Sequence, residues 1–271
     1  MQWTPEAEEA VKKVPFFVRK RVRARVEKEA GLEGKPRITL ADVTVTQQRY
    51  LTGMAAEVKG YQLDTCFGPS GCPHQIQPGD ALMTDIETLL QKADLLAFLK
   101  ASGVMELKFH HEFRVTMAEC PNACSQPQIK DIGIIGASRP KITAEPCSEC
   151  MECQTVCRDK AVIVGQEGPG PIIDWQRCVY CGQCLAACPT GTLAQGPMGY
   201  RVYLGGKLGR HPRLAVALPG IYAPAAVLNI VRACLDLYKS KSRNGRHFAE
   251  ILTSEDIDQL TADFADQHMD A

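Results

Sequence analysis

The cysteines of CSECMECQTVC, residues 147–157, recur with the same spacing in CVYCGQCLAACP, residues 178–189. Each run has the pattern CxxCxxCxxxC, and in the second run the last cysteine, Cys188, is followed by proline. From about Pro146 to Pro197 the chain is rich in Cys, Gly and Pro and lacks long apolar stretches. We therefore expect residues 141–197 to form a separate insert within a larger domain.

This repeat is typical of bacterial ferredoxins with two clusters, in which the first three cysteines of one run share a [4Fe–4S] cluster with the last cysteine of the other run. Structural zinc is the alternative, because two CxxC pairs alone would fit a zinc site, but eight cysteines in duplicated order favour clusters. Arg158 stands where many such ferredoxins have proline, a change that removes no ligand. The pattern predicts two ligand sets: Cys147, Cys150, Cys153 and Cys188 for one cluster, and Cys157, Cys178, Cys181 and Cys184 for the other.

Composition limits the class of protein. The chain has 271 residues, 45% of them hydrophobic, and its 31 Lys and Arg balance its 31 Asp and Glu. One or two compact domains fit this length, disorder does not fit this hydrophobicity, and the balanced charge excludes the overall basic surface of a general nucleic-acid binder. The 13 cysteines, in a chain whose first residues lack a secretory signal pattern, predict a cytoplasmic protein with thiols as metal ligands rather than in disulfides.

A second set of cysteines lies outside the insert. Cys66 and Cys72 are separated by five residues, and Cys120 and Cys124 by three. Four thiolates suffice for a further [4Fe–4S] cluster, so the sequence predicts three clusters in all.

The stretches around these four cysteines resemble the sulfite and nitrite reductase superfamily, in its dissimilatory and anaerobic sulfite reductase branch. The resemblance covers roughly residues 60–253 and implies a [4Fe–4S] cluster electronically coupled to siroheme. It is carried by TCFGPSGCP at 65–73, FRVTMAECPNACS at 113–125, IKDIGIIG at 129–136 and GYRVYLGGKLGRHPR at 199–213.

The resemblance also implies roles for single residues. The second cysteine of the CPNxC motif, here Cys124, would bridge the cluster and the siroheme iron, and Asn122 would lie beside the macrocycle. Basic side chains would bind the substrate oxyanion and the siroheme carboxylates and supply protons. The candidates are Arg114 and Lys207 as catalytic residues, and Lys130, Arg210 and Arg213 as cofactor contacts. The alternative for each is an ordinary surface charge or a strand-end cap.

Three histidines and the remaining cysteine are weaker candidates. His110, His111 and His211 are possible proton donors, but a histidine near a strand end is more often structural. Cys234 shares a helical face with apolar neighbours, so we expect it in the core.

The first 53 residues predict a small helical domain. Thr4 caps and Pro5 opens one helix, Pro15 opens a second that ends at Gly31 to Gly34, and a capping box at Thr39 starts a third that stops near Gly53. The stretches WTPEA at 3–7, VPFFVR at 14–19 and IT at 38–39 resemble the small helical domain of a light-independent protochlorophyllide reductase subunit. The basic run at 19–25 could face phosphates, but the solvated side of a helix is the preferred interpretation.

The remaining sequence predicts an α+β fold. We expect a helix at 84–100 with a capping box at Glu87 and a stop at Gly103, strands at 104–109, 113–117, 129–136 and 201–204, and helices from Ala225. The uncharged run at 214–231 contains Pro219 and Pro224, so no membrane span is expected. The sulfite/nitrite reductase-like domain comprises residues 60–140 and 198–253, followed by a C-terminal helix or tail at 254–271.

The leading hypothesis is an oxidoreductase subunit that passes electrons through [4Fe–4S] clusters to a siroheme-coupled centre and reduces sulfite or nitrite. The short segment before Cys66 leaves little room for the arginine-bearing half-domain of full-length relatives, so a second subunit or a symmetric copy would complete the pocket. The alternative is an iron–sulfur electron-transfer protein that has lost siroheme and serves a partner reductase. A third hypothesis, nucleic-acid regulation through the basic helix, is not favoured, and neither a nucleic-acid nor a membrane partner is expected.

Overall fold

The computed structural model describes residues 1–14, 16–67, 71–104, 107–165, 168 and 170–269, with the side chains of residues 17 and 50–57 outside that description. The chain divides into two compact units, Met1–Val58 with Glu106–Phe109, and Lys59–Met105 with His110–Ala271.

The first unit is a small helical domain with a short parallel strand pair. It contains β1 (Gln2–Trp3), α1 (Pro5–Lys12), α2 (Phe16–Leu32), β2 (Arg37–Ile38) and α3 (Leu40–Glu57). Thr4 caps α1 by accepting the Ala7 N–H, and Thr39 forms the predicted capping box with Asp42. Helix α3 runs past Gly53, because one glycine inside a helix costs only about 1 kcal/mol. The predicted opening of α2 at Pro15 lies outside the described residues.

Arginines of α2 make contacts within this unit. Arg19 donates to the carbonyl oxygens of Lys12 and Val14 at the end of α1. Arg23 stacks 4.3 Å from the ring of Trp3. These contacts favour a structural role for the basic run over phosphate binding.

The second unit has a five-stranded mixed sheet at its centre. In chain order its elements are β3 (Tyr61–Thr65), α4 (Asp80–Ala93), α5 (Leu95–Ala101), β4 (Phe113–Ala118), β5 (Ile132–Ile142), α6 (Glu152–Val156), β6 (Val162–Val164), β7 (Pro171–Ile173), α7 (Gln183–Ala187), β8 (Leu193–Leu204), β9 (Val216–Ala217), α8 (Pro224–Lys241), α9 (Phe248–Ile251) and α10 (Ser254–Asp263). The sheet order is β3-β4-β5-β8-β9, with β3, β4 and β5 parallel and the rest antiparallel. This architecture confirms the α+β class.

Alternation along β4 separates a face in the main core from a second face, on which Thr116 and Ala118 are also buried. Phe113, Val115 and Met117 of β4 are buried in the main core, which also takes in residues of α4 and α8. The residues between them, including Arg114, lie on the opposite face, since successive side chains of a strand point to opposite sides. Cys234 of α8 is fully buried in the same core, as predicted.

The insert extends from the end of a long two-stranded ribbon. Strands β5 and β8 pair as far as Ile142 and Leu193, well beyond the predicted ends near 136 and 201. A shift in register between Ser138 and Pro140 accommodates the prolines and glycines of this stretch in the ladder. The antiparallel pair β6 and β7 and the helices α6 and α7 then form the insert itself.

Two expectations for the segment before β4 are wrong. The helix expected at 84–100 is two helices, because Asp94 has a left-handed backbone with φ +44°, ends α4, and caps α5 by accepting the Ala97 N–H. Thr84 lies within α4 and Glu87 forms no capping box, since α4 already starts at Asp80. No strand is found among the described residues of the segment 104–109, where one was expected. Residues 107 and 108 are irregular, Phe109–His111 is a 3-10 turn, and residues 105 and 106 lie outside the description.

The uncharged run at 214–231 forms β9, a turn and the start of α8. Among the described residues, no helix combines the length and the apolar character needed to cross a membrane.

Candidate metal centres

The two cysteine runs fold into copies of one local structure. In each, a short helix carries the third cysteine, Cys153 in α6 and Cys184 in α7. Left-handed residues precede each helix at equivalent places, Glu149 and Met151 in the first run and Tyr180 and Gly182 in the second. These turns aim backbone N–H groups at sulfur: Glu149 N lies 3.3 Å from Cys147 Sγ, and Tyr180 N donates to Cys178 Sγ.

The last cysteine of each run lies with the other run. Burial raises the pKa of Cys153, and the neighbouring thiols at Cys188, Cys147 and Cys150 raise it further. We call these four cysteines the outer thiol group, because Cys150 is exposed to solvent. The Cys188 thiol is half-buried, and despite that burial the N–H of Leu193 and neighbouring donors lower its pKa.

The other four cysteines form the inner thiol group. Burial raises the pKa of Cys184 to about 12, and the nearby thiols at Cys181, Cys178 and Cys157 add to the shift. All four line one small cavity. The Ala161 N–H donates to Cys157 Sγ at 3.2 Å. The structure therefore brings together both sets of four that the repeat predicts.

The four cysteines outside the insert form the sheet thiol group. Cys66 follows β3 and Cys120 follows β4, and the carboxyl ends of these parallel strands lie at one edge of the sheet. Burial raises the pKa of Cys120, and the thiols at Cys66, Cys72 and Cys124 raise it further. Glu119 N donates to Cys66 Sγ at 3.3 Å. Asn122 Nδ2 donates to Cys124 Sγ at 3.0 Å, so Asn122 lies beside the exposed thiol of this group.

Glu119 is a site residue that the sequence analysis missed. Its side chain is 1% exposed, and it accepts hydrogen bonds from Gly79 N at 2.9 Å and Gln75 Nε2 at 2.7 Å. It thereby fixes the segment that carries Cys72 against the segment that carries Cys120. A glutamate directly before the CPNAC motif was the available signal, but sequence alone does not show that it is buried.

A groove of about 550 Å³ separates the sheet group from the inner group. Cys120 and Asn122 line one side, and Cys181 and Gly182 line the other. The backbone N–H of Ser138, at the irregular point of β5, donates to Tyr180 O at 2.7 Å and holds the insert at this place. Two thiol groups thus face each other across one groove.

Arg114, Lys207, Arg210 and Arg213 lie at the other end of the strands, whereas the Lys130 side chain reaches back to Asp64, two residues before Cys66. Arg114 is the second residue of β4 and Cys120 follows its end, which separates their backbones by roughly 20 Å at about 3.3 Å per residue. Lys130 precedes β5, and the hairpin with Lys207, Arg210 and Arg213 follows β8, whose end pairs with the start of β5.

Most of these basic side chains already have partners. Arg114 N donates to Asp131 Oδ2 at 2.9 Å, and its buried Nε lies 3.9 Å from the same oxygen without a hydrogen bond. Lys130 Nζ binds Asp64 at 3.0 Å, and Lys207 Nζ lies 3.8 Å from Glu250. The Arg213 guanidinium donates to two carbonyl oxygens, whereas Arg210 and His211 are exposed. His110 and His111 stack at 4.1 Å near Arg114, at the edge away from the thiols.

Over the described part of the chain, no group of three or more His, Cys, Asp or Glu side chains is arranged to hold a single metal ion.

Comparison with protein families gives two matches. The model described as nitrite and sulphite reductase 4Fe-4S domain matches residues 62–269. The model described as proto-chlorophyllide reductase 57 kD subunit matches residues 3–45. Both agree with the resemblances seen in the sequence.

Two of the curated relatives are sulfite reductases. The chain is 38% identical over 100 residues to a coenzyme F420-dependent sulfite reductase of Methanocaldococcus jannaschii, covering 37% of this chain and 16% of that protein. It is 31% identical over 107 residues to the dissimilatory-type sulfite reductase subunit beta of Nitratidesulfovibrio vulgaris, covering 35% of this chain and 28% of that protein. The match therefore spans well under a third of either relative.

Among solved structures, dissimilatory sulfite reductase I superposes with a TM-score of 0.50 at 16% identity, covering 79% of this chain and 57% of that chain. At this identity the similarity concerns the fold.

Proposed function

Because the chain belongs to the nitrite and sulphite reductase 4Fe-4S domain family, we propose that it is a subunit that carries electrons through three [4Fe–4S] clusters to a siroheme-coupled centre, where sulfite or nitrite is reduced. The observation that carries this proposal is the groove with the inner thiol group on one side and the sheet thiol group on the other. The path would start at the outer group, whose Cys150 is exposed to a donor.

The donor sets fit iron–sulfur clusters. Each group offers four thiols and at least one backbone N–H aimed at sulfur, an arrangement that stabilises an anionic cluster. When bound, such clusters supply one-electron carriers. The role of the chain is to fix their relative positions and limit their contact with water.

Of the candidate siroheme contacts in this chain, only those at Cys124 and Asn122 are placed to meet a siroheme. Cys124 is exposed, with the Asn122 amide against it, and would face the macrocycle. Arg114 and Lys207 instead lie at the far edge of the sheet and face carboxylates of this chain, and Lys130 binds Asp64 of β3. We therefore assign the remaining siroheme and substrate contacts to a second subunit or a symmetric copy.

The test is anaerobic purification of the chain, together with any subunit that co-purifies, from a host that makes siroheme, followed by iron and acid-labile sulfide counts and by extraction of any tetrapyrrole. We expect about 13 iron atoms per chain, from three clusters and one haem, and oxidation of reduced viologen on addition of sulfite or nitrite. Stoichiometric zinc in place of iron would refute the cluster assignment.

A second candidate function is electron transfer to a separate reductase, without siroheme. It is favoured by Arg114 and Lys207, which face carboxylates of this chain at the end of the sheet away from Cys120. About 12 iron atoms, no tetrapyrrole, and no oxidation of viologen by sulfite or nitrite would establish this function instead.

A further inference from the structure

The two halves of the insert have matched backbones but different charges. Every element of the first run recurs 31 residues later, so Glu145, Glu149 and Glu152 correspond to Gln176, Tyr180 and Gln183. The three acidic side chains around the outer thiol group are exposed. Their counterparts around the inner thiol group are neutral.

Tyr180 connects the inner thiol group to the sheet. Its N–H donates to Cys178 Sγ, and its carbonyl oxygen accepts the Ser138 N–H of β5 at 2.7 Å. Its backbone is left-handed, with φ +61°, and its ring lies beside Arg201 of β8. Because Tyr180 lies between Cys178 and Cys181 in the chain, a charge held against its ring is linked to the inner thiol group through this one residue.

Arg201 provides that charge. The guanidinium carbon of Arg201 lies 5.2 Å from the ring of Tyr180 and 5.2 Å from the ring of Tyr203, so it is held between two aromatic rings. Arg201 is half-buried, and among the described residues no carboxylate forms an ion pair with it. A second guanidinium, of Arg139, stacks 4.4 Å from Trp175, whose ring neighbours Tyr180 at 6.3 Å.

Resting on the cluster assignment above, we propose that Arg201, held by Tyr180, gives the inner cluster of the insert a higher reduction potential than the outer cluster. A reduced cluster carries one more negative charge, which a nearby cation stabilises and a nearby carboxylate destabilises. Asp159 also lies near Cys178, but it is exposed and follows the cationic Arg158, so its effect is screened and partly offset.

This difference in reduction potential gives electron transfer through the insert a direction. One electron moves from the outer to the inner cluster without transfer of an atom, oxidising the first and reducing the second. The electron on the inner cluster is then separated from Cys120 by the groove. Arg201 is a positioning and tuning residue, because it touches no thiol directly.

The experiment is a redox titration, followed by electron paramagnetic resonance, of the anaerobically purified full chain. The inner-cluster signal is the one lost in Cys184→Ser. In Arg201→Gln we expect the ratio of reduced to oxidised inner cluster to fall about tenfold at a fixed potential, or about 59 mV for one electron. Arg201→Lys keeps the charge and should stay close to the wild type. The control, Arg232→Gln, removes an arginine from α8 on the core side of the sheet and should leave the potential unchanged.

Three results would overturn the proposal with the clusters intact: equal potentials for both insert clusters, no shift in Arg201→Gln, or the same shift in Arg201→Lys as in Arg201→Gln. Iron counts on each variant show whether the clusters are present. If the wild type itself contains neither iron nor cluster signals, the cluster assignment is wrong and this inference fails with it.

Discussion

Glu119 shows how one buried carboxylate assembles a site from distant parts of the chain. Its side chain binds Gly79 and Gln75, while its own N–H donates to Cys66 Sγ. Because a buried donor that loses its acceptor costs about 1–3 kcal/mol, the order of the Cys72 segment depends on this side chain.

Glu119→Gln is therefore expected to lower the free energy of unfolding by about 1–3 kcal/mol, because the new amide presents N–H groups to donors. Iron content should fall by about four atoms per chain through loss of the sheet-group cluster. Thermal unfolding and iron analysis measure these effects, with Glu87→Gln on the exposed side of α4 as control. Wild-type iron content and stability in Glu119→Gln would refute this role.

Asp131 is buried beside Arg114, and burial raises its pKa to about 6, although the Arg114 N–H and guanidinium and the Ala249 N–H oppose the shift. Between about pH 4 and 6 the folded protein therefore keeps a proton on Asp131 that the unfolded chain has lost. The resulting stability is present at low pH and is lost as the pH rises through 6.

Asp131→Asn should remove this dependence. Between pH 5 and 7.5 we expect the wild type to lose about 1 kcal/mol of unfolding free energy relative to the variant. Denaturant unfolding at the two pH values measures this difference. Parallel pH profiles for the two proteins would show that Asp131 does not titrate in this range.

At the scale of the element, the β5–β8 ribbon holds the insert beside the sheet. Gly182, which precedes α7, has φ +71°, and an added Cβ would lie 2.8 Å from Ser138 Oγ on β5. Gly191 has a similar φ of +76° but nothing within 4 Å of an added Cβ. The two glycines therefore differ mainly in whether they touch the ribbon.

Gly182→Ala should lower iron content by about four atoms per chain, because the inner group must shift away from Ser138. Gly191→Ala should cost only the backbone strain of about 1–2 kcal/mol and keep its iron. Iron analysis and thermal unfolding of both variants compare the two effects. Equal iron content in both would mean that the close approach to Ser138 is unimportant.

Sequence reasoning worked where a local pattern has one structural meaning, as in the capping box at Thr39. The proximity of the crossed cysteines follows from the similarity of the repeat to bacterial ferredoxins, because spacing by itself does not pair the runs. Sequence reasoning was wrong at Asp94, where a single left-handed residue divides one apolar helix pattern into two helices. It could not pair Arg114 with Asp131, because a motif match does not show which distant residue a buried side chain meets.

At the scale of the whole molecule, three thiol groups form a series from the exposed Cys150 to the groove at Cys120. The crossed grouping makes this arrangement testable. Cys157 belongs with the second run although it ends the first, and Cys188 belongs with the first run although it ends the second.

Cys188→Ala should therefore abolish the same cluster signal as Cys147→Ala, and Cys157→Ala the same signal as Cys181→Ala. Electron paramagnetic resonance of the four reduced variants makes this comparison. A pairing of Cys157 with Cys147 instead would show that each run holds its own cluster.

The crossed groups also have a consequence for the order of biosynthesis. During translation the first run supplies three of the four cysteines of the outer thiol group. The fourth, Cys188, follows only after β6, β7 and α7. The inner group is complete four residues earlier, at Cys184. Neither group can be filled before nearly the whole insert has left the ribosome, so metal loading depends on a finished fold and not on a nascent segment.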